Sequence, residues 1–242
     1  MKKKIMALFS GLLLLSSLTL PGLTQTEKDI LENMIKALGG RQSLSEIKDT
    51  KISGTIEMIQ YGLNAPMTIY QKEPNKYRME MEIMGLSMIQ VFDGKKAMMT
   101  NPQTGEIIEL PPDQTDDMMR QALGNDATLH PEKYGITYTF KGKEEVNGRP
   151  YLVLEQKFQD GFTSVLYLDA NTYLPYKSKS KTLGPTGSEV ESEVIFSDYK
   201  KVGQTRAAFS MTIFMEGVES IRMNLNDIAY NTGLDDALFN LK

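Results

Sequence analysis

From Lys51 onward the chain repeats with a period of two. Ile52, Ile56 and Met58 alternate with Ser53, Thr55 and Glu57, and Tyr77, Met79, Met81 and Ile83 alternate with Arg78, Glu80 and Glu82. The rhythm returns at Ile136, Tyr138 and Phe140, at Leu152 and Leu154, and at Leu166 and Leu168. It closes the chain at Phe209, Met211, Ile213 and Met215, then at Ile221, Met223 and Leu225. Successive strand residues point to opposite faces, so this pattern prescribes strands with one apolar face. Turn chemistry separates the runs at Asp93-Gly94, Asn147-Gly148, Asp160-Gly161, Gly184-Pro185 and Glu216-Gly217. The connections are mostly too short for helical crossovers, which makes neighbouring strands antiparallel. The spacing predicts about eleven strands in one large meander sheet. An eight-stranded barrel is just wide enough for side chains or one small ligand. A curved sheet of about eleven strands encloses more, so either helices plug it or a cavity remains.

Two helices are expected against that sheet. Thr26 and Asp29 form a variant capping box, and Ile30, Met34 and Leu38 share a stripe with Leu31 and Ile35. Gly39-Gly40 stops this helix. Ser43 and Glu46 read as a second capping box that starts a short turn through Ile47. Pro111-Pro112 ends a strand, and Asp113 to Leu123 reads as a short helix with Asp113, Asp116 and Asp117 in its first turns and Met118, Met119 and Leu123 on its apolar side. Gly124 and Asn125 end it. The tail from Leu234 to Leu241 reads as a helical turn or a docked edge. No linker or clear repeat divides the chain, so residues 26–242 are expected to form one domain.

Residues 1–25 read as a signal peptide. Lys2, Lys3 and Lys4 precede an apolar run from Ile5 to Leu20, which Pro21-Gly22 ends. Such a run is short for a membrane span of about 20 residues. The expected location is periplasmic, reached by secretion, and removal of the leader takes three lysines and no acid. Composition narrows the chemistry. Cys is 0, which excludes disulfides, thiolate metal sites and a cysteine nucleophile. His is 1, so any triad or imidazole site would have to rest on His130, and no local partner is evident for it. The formal charge of −4 argues against nucleic acid. Glu80 and Glu82 read as a solvated strand face, and Asp116 and Asp117 as acids suited to a helix start. Gly184-Pro185-Thr186-Gly187 lacks the Lys-Ser/Thr and helix of a phosphate loop. Lys177 to Lys181, with Lys and Ser alternating, reads as a charged sheet edge. No catalytic residue, metal ligand or cofactor is expected, and the chain is not expected to be an enzyme.

Several segments resemble one family. Leu38-Gly39-Gly40, then Leu44 and Ile47, then Ser53-Gly54-Thr55 resemble the opening of the LolA-like outer-membrane lipoprotein-sorting proteins. Phe92-Asp93-Gly94, Asn101-Pro102 and Gly105 are similar to the central hairpin, and Val146-Asn147-Gly148-Arg149 and the run from Leu168 to Pro175 resemble the later strands. Phe196-Ser197-Asp198-Tyr199 and the run from Leu234 to Phe239 continue the likeness over nearly the whole chain after the leader. The resemblance implies an unclosed antiparallel β-barrel of about eleven strands, lidded by short helices, that holds acyl chains or other lipids. It also implies partners among inner- and outer-membrane lipoprotein-trafficking proteins. The chain departs from the pattern where many relatives carry Trp after the Phe-Asp-Gly turn: Lys95, Lys96 and Ala97 stand there. The arginine that latches the lid of the sorting proteins has no match.

Methionine is the other informative feature. Ten of the sixteen lie between Met58 and Met119. Met is unbranched and polarizable, and suits adaptable apolar surfaces. The expected lipid-binding lining is Ile56, Met58, Met67, Met79, Met81, Met88, Met98, Met118, Met119, Leu154, Met211 and Met223; the alternative is that these residues simply fill a core. Met118-Met119 marks the expected lid. The function this implies is a periplasmic carrier or binding protein that shields lipoprotein acyl chains or other lipids. The alternative is an envelope regulatory or assembly module that uses the same barrel to bind a protein.

Overall fold

The computed structural model describes residues 25–101, 103–184 and 188–241. Residues 1–24 of the expected leader, Pro102 and residues 185–187 of the Gly184–Gly187 loop lie outside them. The described chain is mainly antiparallel β. Six strands come first: β1 (Asp49–Met58), β2 (Leu63–Lys72), β3 (Lys76–Ile83), β4 (Leu86–Phe92), β5 (Ala97–Thr100) and β6 (Ile107–Glu109). Seven follow: β7 (Thr137–Val146), β8 (Arg149–Lys157), β9 (Thr163–Asp169), β10 (Pro175–Leu183), β11 (Glu189–Val202), β12 (Thr205–Met215) and β13 (Val218–Tyr230). They form one unclosed sheet in the order β6-β5-β4-β3-β2-β1-β13-β12-β11-β10-β9-β8-β7. Every neighbour is a hairpin partner except β1 and β13, which join two meanders back to back. Among the described residues the count is thirteen where about eleven were expected; β5 and β6, with four and three residues, are too short to display a period.

The β1–β13 joint depends on a glycine. A register shift falls between Ser53 and Gly54. A Cβ built on Gly54 would stand 2.4 Å from the Asn224 carbonyl oxygen, so only glycine lets β13 come this close. The expected turns at Asn147-Gly148 and Glu216-Gly217 are tight and left-handed, with φ of 52° and 76° at the first and 49° and 75° at the second. Met84-Gly85 makes the same kind of turn between β3 and β4 without an Asn or Asp signal, at φ 54° and 78°.

Four helices bear on one face, called here the inner face. α1 (Glu27–Leu38) starts with the expected capping box at Thr26 and Asp29 and buries Ile30, Leu31, Met34 and Ile35. It lies against β7 and β12. α2 is Arg41–Ser45, so the expected start at Ser43 is corrected: Gly40 is the N-cap and Ser43 lies inside the helix. The two glycines let the chain reverse directly from one helix into the next. α3 (Pro112–Ala122) begins with Pro112 in its first turn, where a missing N–H costs nothing. α4 (Asn125–Leu129) was not expected; Gly124 and Asn125 begin it as well as ending α3. The tail makes a 3₁₀ turn at Asp236–Phe239 and buries Phe239 completely.

The Lys177–Lys181 segment is corrected too. β10 pairs on both sides, with β9 and β11, and so is no edge. Lys177 is buried, with Nζ 3.2 Å from Glu193 Oε2 and 4.7 Å from the Tyr167 ring centre. Ion pairs cross the ladder, Lys179 with the opposing Glu193 and Lys181 diagonally with Glu189.

Candidate functional site

Cross-strand pairing gathers the methionines into rows on the inner face. Gly54, Met67, Met81 and Met88 form one row across β1 to β4. Ile52, Ile69, Met79 and Gln90 form the next. On the other side of β1, Ile56 pairs with Met223, and Met223 with Met211. α3 lies over this floor against β3, β4 and β5. Met118 is buried there, and Met119 is half-buried beside it.

Ten of the twelve residues expected to line the site meet in this one apolar cluster. Ile56, Met67, Met81 and Met118 are buried in it. Met58, Met79, Met88, Met119, Met211 and Met223 pack on it half-buried. Two placements are corrections. Met98 pairs with Val91 and Glu109, which puts it on the opposite face. Met99, across from Gln90, takes the inner position instead. The phase is set by Ala97, which is fully buried opposite Phe92 and was the available signal. Leu154 is fully buried in a second cluster beneath α1, with Leu152 and Leu168. It is filler under a helix, not part of the methionine floor.

α3 is tied down at its far side. Arg120, in its last turn, pairs with Asp117 of the same helix and with Asp160 in the β8–β9 turn. Its guanidinium lies 4.1 Å from the Phe162 ring centre. Thr182 of β10 donates to Asp117 at 3.4 Å. α3 therefore spans from β3–β5 to the ends of β8–β10, and two carboxylates and a ring hold its one arginine. The sequence pattern alone shows none of this, because Asp160 and Phe162 are forty residues away on another hairpin.

The inner face changes character beyond β12. Leu154, Leu166, Ser178, Val194 and Ile213 align in one cross-strand row. The next row toward the α3 anchor reads Gln156, Ser164, Ser180, Ser192 and Met215. Gln156 donates to the Tyr138 hydroxyl at 3.0 Å, and burial pushes that phenol up to about 12. A wall that is methionine on one side thus becomes hydroxyl-bearing on the other.

Elsewhere the polar groups serve the fold. Glu73, between β2 and β3, accepts from the Asn125 and Asp126 amides at 2.6 and 3.3 Å and so starts α4; its burial raises its pKa. Glu80 pairs with Arg78, and Glu82 is exposed. His130 is 42% exposed, with Asp126 at 3.9 Å and Glu132 at 3.7 Å. Among the described residues no group of three or more His, Cys, Asp or Glu side chains is placed to hold a metal ion. Among them, too, no helix is long and apolar enough to cross a membrane. A surface groove of about 620 Å³ lies beside β9 to β12, but its walls include Lys179, Lys181, Glu191 and Glu193. Those charges suit water better than an apolar chain.

No protein-family model and no curated protein matches the sequence. Solved structures do match in shape. A LolA superfamily protein from Nitrosomonas europaea aligns over 89% of this chain and 98% of its own, at TM-score 0.62 and 12% identity. A DUF1329 family protein from Desulfovibrio piger aligns over 90% and 98%, at TM-score 0.61 and 15% identity. A domain from Vibrio parahaemolyticus named for outer membrane lipoprotein sorting aligns over 87% and 95%, at TM-score 0.59 and 17% identity. Identities this low speak for the fold alone, and the fold is LolA-like.

Proposed function

We propose that this chain is a periplasmic binding or carrier protein that shields acyl chains of lipids or lipoproteins on its methionine floor. The observation that carries this reading is a floor of half-buried methionines roofed by a short anchored helix. A finished core would exclude these side chains from solvent; here Met58, Met79, Met88, Met211 and Met223 retain exposure on one continuous face. Each methylene moved from water onto such a surface gains about 0.8 kcal/mol. Among the described residues the floor is apolar apart from Gln90 at its edge, and methionine adapts to many chains. Residues 1–25 would act as the secretory leader, and 26–242 as one domain. The lipoprotein-sorting name carried by the Vibrio structure supports lipoprotein acyl chains as cargo. Inner- and outer-membrane trafficking proteins would then be the donor and acceptor.

The test is titration of the mature protein with diphenylhexatriene, a hydrocarbon that fluoresces in apolar surroundings. The proposal expects saturable binding that Met79→Glu and Met88→Glu, at half-buried floor positions, each abolish while the circular dichroism stays native. Binding unchanged in both variants would remove the floor as the site. Absence of binding in the native protein would favour a module that binds a protein partner.

A further inference from the structure

We infer that the methionine floor is a site of reversible oxidation, and that sulfoxide formed there ejects the acyl chain. This rests on the acyl-chain reading and adds a regulation of that same site. The chain has 0 Cys and 0 Trp against 16 Met. The thioether is then its foremost two-electron nucleophile toward an electrophilic oxidant. Access to sulfur sorts the methionines. Met67, Met81 and Met118 are at most 6% exposed. Met58, Met79, Met88, Met119, Met211 and Met223 are half-buried, and all six pack on the one apolar cluster. Met84 in the β3–β4 turn is 85% exposed, and Met98 is half-buried on the opposite face, so neither belongs to the floor. Strand formation does not call for methionine, since β-branched and aromatic residues suit a pleated face better. The face is built instead from the apolar side chain whose polarity an oxidant changes.

The chemistry balances with hypochlorous acid as the oxidant. The sulfur lone pair takes chlorine from HOCl, and water then displaces chloride at sulfur. The net products are the sulfoxide, chloride and a proton; sulfur loses two electrons and chlorine gains them. Each sulfoxide sets an S–O dipole on a face that is apolar apart from Gln90. An acyl chain laid over that oxygen would strip its water without replacing it, which is unfavourable. Without a ligand, a half-buried position leaves the oxygen hydrated. Oxidation therefore costs the ligand more than the fold. Met81 faces Met88 and Met211 faces Met223 across the ladder, so a sulfoxide at Met88 or Met211 stands beside a second sulfur. Methionine sulfoxide reductases A and B reverse the step, the oxygen leaving as water while a dithiol becomes a disulfide.

The experiment treats the mature protein with limiting hypochlorous acid and quenches with free methionine before any probe is added. Peptide mass spectrometry then reads oxygen uptake at each residue, and titration reads diphenylhexatriene affinity. The floor methionines are expected to take oxygen ahead of Met67, Met81 and Met118. Affinity should fall at least about tenfold while the circular dichroism stays native. The two reductases with dithiothreitol should restore it, which tests the point without any substitution. Dioleoylglycerol bound beforehand should protect the floor and leave Met84 and Met98 unprotected. With Met58, Met79, Met88, Met211 and Met223 replaced by Leu, close in volume, the affinity before treatment should change less than about twofold after it. Met84→Leu should leave the loss in place. Affinity that survives sulfoxide formation at the floor, failure of the reductases to restore it, or the same loss in the Leu variant would overturn the inference while leaving the floor as the binding site. So would a loss accompanied by a non-native circular dichroism, because unfolding would then account for it. A native protein that never binds diphenylhexatriene would remove the acyl-chain reading instead. Equal oxygen uptake at floor and buried methionines would overturn the oxidation site by itself.

Discussion

At the scale of single residues, the molecule separates groups that hold the fold from groups left available to a ligand. Asp49 belongs to the first kind. It is buried and accepts from the Thr232 amide and hydroxyl at 2.6 and 2.8 Å, and from the Gly233 and Leu234 amides at 3.0 and 3.3 Å. Burial alone would raise its pKa; the hydrogen bonds from Thr232, Gly233 and Leu234 outweigh it, and the pKa is lowered. A carboxyl whose folded pKa is depressed stabilises above its unfolded value, near 3.9, and that contribution is lost as pH falls through the folded value. Asp49→Ala is therefore expected to cost about 2–3 kcal/mol in urea unfolding at pH 7. The difference from the native protein should shrink as the pH drops below about 4. A gap independent of pH would show that the carboxylate charge is not what clasps the tail. Met79, half-buried on the floor, would be of the second kind: its loss should reach ligand binding before it reaches stability.

At the scale of elements, α3 and the β1–β13 joint make separate claims. Arg120→Ala frees the far end of α3 without touching its methionines. The expected result is faster release of diphenylhexatriene in stopped flow and faster amide exchange confined to α3, with the melting temperature shifted by a few degrees at most. Unaltered release would mean that α3 is a fixed plug. Gly54→Ala forces a methyl into the Asn224 carbonyl and pries the two meanders apart; a loss of about 2–4 kcal/mol is expected in denaturant unfolding, as for overpacked sites. Much of this level was legible beforehand. The period-two runs located β1, β3, β7, β8, β9, β12 and β13 but not β2 or β11, Thr26-Asp29 located α1, and Pro111-Pro112 located the start of α3. What escaped has physical causes. β5 and β6, with four and three residues, are too short for the alternation to fix its phase, so the sequence points Met98 inward where Ala97 and Met99 take that face. Leu154 alternates as a lining residue would, but α1 covers it, and periodicity does not report what lies above a strand. The lysines of β10 looked like an edge because their glutamates come from β11, a pairing that sequence spacing does not display.

At the scale of the whole molecule, one unclosed sheet carries helices on one face, and the methionine cluster lies between α3 and that sheet. Methionines line the face on both sides of β1, and beyond β12 the same face carries Ser178, Ser180 and Ser192. A ligand bound only to the folded state raises stability by mass action. Saturating dioleoylglycerol should therefore raise the melting temperature by several degrees and abolish diphenylhexatriene fluorescence in parallel. A rise without displacement would place the lipid elsewhere.

The central claim is that the inner face holds lipid. The most direct measurement is native mass spectrometry of the mature protein purified from bacterial periplasm without detergent, followed by solvent extraction of the same sample. The account predicts a bound mass in the range of a lipid that disappears on denaturation and is recovered in the extract as an acylated glycerol compound. A clean apo mass that stays apo after incubation with dioleoylglycerol and with an acylated peptide would contradict it.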